Sequence, residues 1–332
     1  MKQVLFVESD EKLQPVLKKE LAKVFSRGES IAVKLHMGEP GNKTSLRPEF
    51  VKKIIDVLKE LGVKPFLFDS PVVYPSPRNT EKGYLKAAVQ QGFTEDKLGC
   101  PIVISDEYIE VKGKALIYQV CKKLVDAGGV LVLTHLKGHF CSGFGGSIKN
   151  LGMGALTKKT KGQIHGGGAP KYLGGCRMCG ACEKSCPLDN IRYADNRPYF
   201  DKNWCCSCSD CVYACKFGAI NTSSGFSFDF LLSEGAGAAL KNFKKAYFVN
   251  ALKDITKHCD CNSDPGPKVF EDVGFLLSPD IVAIDKASMD LINQRAGEDF
   301  FQRILKKSPI IHIREAEKQG MGSTEYKLET ID

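Results

Sequence analysis

Cys176-x-x-Cys179-x-x-Cys182-x-x-x-Cys186-Pro187 and Cys205-x-x-Cys208-x-x-Cys211-x-x-x-Cys215 decide how the rest of this chain is read. Each cysteine of the first run recurs 29 residues on (176 to 205, 179 to 208, 182 to 211, 186 to 215), and Ile191 and Ile220 keep the same offset, so one unit is duplicated. Gaps of two residues let three thiolates on one loop point inward and cap three irons of a cube. The fourth ligand then comes from the far end of the sister run. The spacing therefore predicts one [4Fe–4S] cluster on Cys176, Cys179, Cys182 and Cys215, and a second on Cys205, Cys208, Cys211 and Cys186. Zinc would need only four ligands and no reciprocal fourth cysteine, and the spacing disfavours zinc and disulfides alike.

The two runs are expected to form an inserted two-cluster, bacterial-ferredoxin-like α+β unit over residues 170–222. Outward from it, both flanks alternate strands and helices. Ile31–Leu35, Pro65–Asp69, Ile102–Ser105 and Gly129–His135 read as strands, as do Ala246–Asn250, Gly274–Leu277 and Ile281–Asp285. Helical periods run over Pro48–Leu61, Thr80–Phe93, Ala115–Ala127, Phe228–Phe243, Ser288–Gln294 and Asp299–Leu305. Ile109–Ala115 reads as a small ribbon, and the stretch from His135 to Gly168 as a glycine-rich, polar interruption of the strand–helix order. The alternation predicts an α/β domain with a mostly parallel sheet and helices on both faces. Residues 1–169 and 223–332 are expected to build it together; a separate C-terminal α/β unit is the alternative.

The chain has 332 residues with 43% hydrophobic and 26% charged content, ordinary for a globular protein. The formal net charge is +8. Eight ligating thiolates around two cationic cluster cores would reduce it to about +4, too mild to argue for nucleic acid. The start, Met1 to Glu8, has too short an apolar run for a signal-peptide core, and no stretch is long enough to span a membrane. A reducing, cytoplasmic setting is the expectation.

Beyond the clusters, His135, Lys137 and His139 recur at period two after the strongest strand, a compact donor set for a metal or an anion. Lys34 and His36 end another strand, and Lys149 sits in the glycine block Gly143–Gly154. In open α/β sheets ligands collect beyond the carboxyl ends of strands, so these six residues are expected to line one pocket, with Asp69 and Asp285 at its edge. The excess of Lys and His predicts an anionic small-molecule ligand, or a metal if the imidazoles are neutral. The glycine block fits neither a Walker loop nor a dinucleotide fingerprint; it would serve as substrate cradle or as hinge. Lys158–Lys161 reads as a solvated loop. Cys259-Asp260-Cys261 offers a second metal-ligand pair, a redox pair or two reduced thiols, with Cys141 or His139 as further ligands.

With these motifs assembled, the chain resembles the family catalogued as domain of unknown function 362, in its ferredoxin-containing form. The resemblance rests on Val33-Lys34-Leu35-His36 with Gly38-Glu39, and on Phe68-Asp69 with Tyr74 and Arg78. It rests also on Thr134–His139, on Gly143–Gly154, on Cys259-Asp260-Cys261 and on Asp280–Asp285. It implies the α/β fold and the clusters rather than a reaction. Cys141 and Cys215-Lys216 depart from the family pattern, and Cys206 is a spare thiol beside Cys205. The functions in view are an iron–sulfur oxidoreductase whose clusters link a redox partner or low-potential carrier to the pocket, a dedicated electron carrier docking on a redox partner, and a metallocofactor assembly protein.

Overall fold

The computed structural model describes residues 1–331; Asp332, the last residue of the expected third segment, lies outside them. One eight-stranded sheet runs in the order Tyr326–Thr330, Lys2–Val7, Gly274–Ser278, Ala246–Leu252, Gly129–His135, Ser30–Lys34, Lys64–Asp69, Ile102–Ile104. Neighbours are parallel except at Gly274–Ser278, which is antiparallel to both Lys2–Val7 and Ala246–Leu252. The sheet takes strands from both sides of residues 170–222.

Gly129–His135 is buried along its whole length, which is why it reads as a continuous apolar run rather than an alternating one. Alternate side chains still enter different cores. Val130 and Val132 pack with Ile148, Leu151 and Leu232 on one face; Leu131 and Leu133 pack with Val51, Ile54 and Leu58 on the other. The helix Pro48–Glu60 has Pro at its first turn, where no backbone donor is needed, and lays Val51, Ile54, Ile55 and Leu58 on the sheet.

Three expectations are corrected. Ile281–Asp285 is the start of the helix Ile281–Ala296, not a strand. Asp280 caps it by accepting from Val282 N at 3.0 Å and Ala283 N at 2.9 Å, and its first five residues are all buried, so no polar face betrays the helical period there. Ala115–Ala127 is a strand, Ile117–Cys121, followed by the short helix Lys122–Asp126; the strand pairs antiparallel with Tyr108–Lys112. His135–Gly168 is ordered secondary structure: a Lys137–His139/Gly143–Gly145 hairpin, then helices Ser147–Gly154 and Lys158–Gly168.

Asp285 does not reach the pocket edge. It lies under the start of the Ser147–Gly154 helix, accepting from Ser147 N at 2.8 Å, Ile148 N at 2.9 Å and Asn250 Nδ2 at 2.9 Å. Burial pushes its carboxyl up to about 6. A carboxyl raised above its unfolded value of 3.8 contributes stability below that value and loses it as the pH rises through about 6. Relative to Asp285→Asn, which cannot titrate, the wild type should gain about 1 kcal/mol between pH 7.5 and pH 5 in urea unfolding. A constant difference between the two proteins would contradict this.

Residues 170–222 form a small separate layer. Pro170–Tyr172 pairs with Ile220–Thr222 and Ile191–Ala194 with Arg197–Phe200, flanked by helices Ala181–Ser185 and Asp210–Ala214. The 29-residue repeat is written into the backbone. Met178 and Ser207 take φ of 55° and 61°, and Gly180 and Ser209 take 74° and 66°, so both cysteine loops turn by the same left-handed steps. The layer's own apolar cluster is only Cys182, Ile191, Cys211 and Ile220.

Candidate functional site

Lys34, Asp69 and His135 end three adjacent parallel strands, and parallel pairing puts their carboxyl ends on one side. The fourth, Ala246–Leu252, leads to the turn that carries Cys259 and Cys261. The helix Ser147–Gly154 crosses these strand ends and the helix Lys158–Gly168 flanks it. Together they enclose a cavity of about 260 Å³. All six expected residues line it, namely Lys34, His36, His135, Lys137, His139 and Lys149, together with Asp69, Cys259, Asp260 and Cys261. Sequence reasoning missed Lys161, His165, Ser70 and Asn150, which also line it.

Most of the pocket's charges are already paired. Lys34 Nζ lies 3.0 Å from Asp69 Oδ1 and donates to Asn150 Oδ1 at 2.7 Å. A Cβ at Gly154 would fall 2.2 Å from Lys34 Nζ, so a larger residue there would have to displace the buried ammonium. Lys137 is paired with Asp260, and His135 donates Nε2–H to the Lys253 carbonyl at 2.7 Å while its Nδ1 faces Asp260 and Lys137. Burial pushes the Asp260 carboxyl up, but Lys137 and His135 more than reverse it, holding it far below the usual range. Burial pulls Lys34 and Lys137 down against the upward pull of their carboxylates.

His36 accepts from Gly38 N at 3.1 Å on Nδ1 and faces Arg78 Nη1 at 2.7 Å on Nε2. Burial and then Arg78 pull its pKa down, so its imidazole is neutral. Arg78 is fully buried, ion-paired with Glu39 and bonded to Tyr74. His139 binds Ser142 Oγ at 2.9 Å through Nδ1, and burial and Lys149 hold it well below the ordinary histidine range.

Lys161 overturns the reading of Lys158–Lys161 as a solvated loop. Thr157 caps this segment into a helix, and Lys161 Nζ turns inward to Ser70 Oγ at 2.8 Å and Pro71 O at 2.6 Å. Burial brings its amine down to about 8, within reach of proton transfer near neutral pH. Burial, rather than repulsion between clustered cations, is the leading cause. The signal that could have found it is Thr157 itself, an N-cap residue three positions before Thr160 N, which it accepts from at 3.3 Å.

Lys149 differs from the other pocket lysines. Among the described residues its ammonium has no hydrogen-bond or ion-pair partner, while burial, which pulls it down, is outweighed by Cys261, Cys259 and Asp260. Cys261 is held well below the usual thiol range by the neighbouring Cys259 thiol, against burial and with help from Lys149 and His36. Cys141 is not near this pair; its Sγ donates to the Cys206 carbonyl at 3.0 Å.

The eight cysteines of the double run fall into two further small cavities. Cys176, Cys179, Cys182 and Cys215 line one; Cys186, Cys205, Cys208 and Cys211 line the other, with Cys206 beside them. Cys179 is exposed, whereas Cys208 and Cys211 are buried. His165, on the wall of the large pocket, sits close enough to the Cys206 backbone for that backbone to raise its pKa against burial, so the second cavity adjoins the pocket. Among the described residues no three His, Cys, Asp or Glu side chains close on the position of a single metal ion.

The fold and site define a mixed α/β protein with a mostly parallel central sheet and a lysine- and histidine-rich pocket at its carboxyl edge. A family model described as Domain of unknown function (DUF362) matches residues 31–290, and the chain belongs to that family. No curated protein matches it. Among solved structures it is similar to a Thermotoga maritima protein, with 9% identity and a TM-score of 0.49 over 87% of this chain and 59% of that one. It is also similar to the lactate racemase apoprotein of Thermoanaerobacterium thermosaccharolyticum, with 12% identity and a TM-score of 0.41 over 92% of this chain and 58% of that one. The chain thus covers less than two thirds of either solved protein. Among the described residues no helix is long and apolar enough to cross a membrane.

Proposed function

We propose that this chain is an iron–sulfur oxidoreductase in which a ferredoxin-like insert carries two [4Fe–4S] clusters that feed electrons to an anion-binding pocket in the α/β domain. The observation that carries the proposal is the division of eight free thiols into two cavities, each lined by three cysteines of one run and the fourth of the other. The residues fit the group. Burial and then Cys208, Cys205, Cys182 and Cys186 push the Cys211 thiol up, a crowding of sulfurs that a cationic iron–sulfur core would relieve. A cube binds each thiolate at a separate iron, so its ligands need not converge on one point as they would around a single ion. When bound, each cluster supplies one electron.

This chain's own residues do the rest. Lys149 offers an unpaired cation to an anionic substrate, and Lys161, near neutral, exchanges a proton there. The exposed side of the first cavity, where Cys179 and Phe217 reach solvent, is where a low-potential carrier would approach. A carrier without a substrate site would leave the unpaired Lys149 without purpose, which favours the enzyme over the carrier and assembly readings.

Anaerobic analysis should find eight irons and eight sulfides per chain, with the broad visible absorption of [4Fe–4S] clusters bleaching on reduction. Four or fewer irons after reconstitution, or zinc in their place, would overturn the cluster assignment. Lys149→Met should weaken the binding of inorganic phosphate about tenfold or more, the loss of one charged hydrogen bond, with the cluster absorption unchanged. Unaltered affinity by calorimetry would remove Lys149 from the site.

A further inference from the structure

We infer that Cys259 and Cys261 are a redox couple that takes up the two electrons of the two clusters, cycling between disulfide and dithiol inside the pocket. The inference rests on the two-cluster reading above and gives its electrons a first destination. Cys259 and Cys261 stand at the first and third positions of a tight turn closed by Asn262 N to Cys259 O at 3.0 Å. Such a turn folds their Cα atoms to a separation that a disulfide can span. Both cysteines line the cavity.

The turn is held rigidly. Asp260 between the cysteines is anchored by Lys137 and His135, its carbonyl accepts from Glu39 N at 3.0 Å, and Asn42 Nδ2 donates to the Asn262 carbonyl at 2.8 Å. Cys261 Sγ also lies 3.8 Å from His36 Nε2. Across the same cavity, His165 on the pocket wall lies beside Cys206, which lines the cavity of Cys186, Cys205, Cys208 and Cys211. The pair therefore shares one enclosed space with a residue that lies beside the loop of Cys205, Cys206 and Cys208. A single chelated ion would need a third ligand closing on the same point, and among the described residues none does; a disulfide needs only the two sulfurs.

The chemistry balances. The Cys259–Cys261 disulfide would accept two electrons, one supplied by each [4Fe–4S] cluster when bound, and its S–S bond would break. Cys259 takes a proton from solvent and Cys261 is left as thiolate. The oxidant that closes the cycle is a small anionic disulfide seated at Lys149. The Cys261 thiolate attacks one of its sulfurs and expels the other as a thiolate. Cys259 then resolves the mixed disulfide, releasing the second thiol and restoring the Cys259–Cys261 bond.

Reductive titration tests the inference. The holoprotein, equilibrated anaerobically with oxidised glutathione and freed of it, is titrated with titanium(III) citrate while iron is counted in the same sample. The wild type should consume about four electrons per chain, two for the clusters and two for the disulfide, and Cys261→Ser about two. Alkylation after acid quenching should find the Cys259–Cys261 peptide blocked before titration and doubly alkylated after it. Two electrons in both proteins, with eight irons present, would overturn the couple and leave the cluster reading intact. A metal ion that departs with Cys261→Ser would overturn it in favour of a chelate. Too little iron in the wild type would instead sink the cluster reading itself.

Discussion

Cys186→Ser is expected to leave the cluster of Cys176, Cys179, Cys182 and Cys215 spectroscopically intact and to disturb the one held by Cys205, Cys208 and Cys211. The result runs against sequence proximity, since Cys186 follows Cys182 by four residues. The reciprocal rule demands it, because the fourth ligand of each cluster comes from the other run. The geometry agrees in kind: Cys186 lines the cavity of Cys205, Cys208 and Cys211, and its charge reaches Cys205 and Cys211. The proposed assignment predicts about half the iron to become labile, or the affected centre to convert to a three-iron form, while the other cluster keeps its signal. Loss of the cluster nearest in sequence, seen by electron paramagnetic resonance, would mean the runs are not reciprocal. On the proposed assignment the effect on function should be near total, because the cavity of Cys186, Cys205, Cys208 and Cys211 lies beside the pocket, with Cys206 on one side and His165 on the other.

Lys307→Met should be the most destabilising single change in the chain. Lys307, in the link between helices Phe300–Leu305 and Ile310–Lys318, has a fully buried side chain, and its ammonium lies 2.7 Å from Asp210 Oδ1, 2.8 Å from Asp229 Oδ2 and 3.1 Å from the Cys208 carbonyl. One cation thus ties the cysteine-bearing layer to the Phe228–Leu240 helix. Removing it strands two buried carboxyls, a loss of about 3–5 kcal/mol. Burial, only partly offset by Lys307, already pushes Asp210 up to about 6 and raises Asp229. A carboxyl raised above 3.8 contributes stability below that value and loses it as pH rises through its folded value. Without Lys307 both would rise further, so the variant should recover part of its loss between pH 8 and pH 6. Asp229→Asn added to Lys307→Met should recover part of it at pH 8 as well. Urea midpoints for the three proteins decide this; a loss under about 1 kcal/mol at pH 8 would show that the triad is not structural.

How much of this was legible in the sequence differs by element. Gly129–His135, Lys64–Asp69 and Pro48–Glu60 announce themselves because periodicity and burial are expressed within a few residues of chain. Ile281–Asp285 misleads because a fully buried helix start is as apolar and β-branched as a strand, and only its Asp280 cap and its packing on the sheet distinguish them. The glycine-rich block misleads the other way: glycine lowers helix propensity, yet Gly146 and Gly154 sit where Asp285 and Lys34 press against the backbone.

The sequence by itself determined the mostly parallel α/β layout, the duplicated cysteine loops and the gathering of Lys34, His36, His135, Lys137, His139 and Lys149, because the carboxyl ends of parallel strands must share one edge. Tertiary structure decided which of those cations are occupied. Lys34 meets Asn150 across 116 positions and Lys137 meets Asp260 across 123, while Lys149 meets no partner among the described residues, and nothing in the spacing of lysines distinguishes the three. It also decided that Lys306 and Lys307, adjacent and alike in sequence, part company, one outward and one sealed between two carboxylates. Periodicity is a local property of the chain, whereas the pairing of a charge depends on what folding brings within a few ångströms of it.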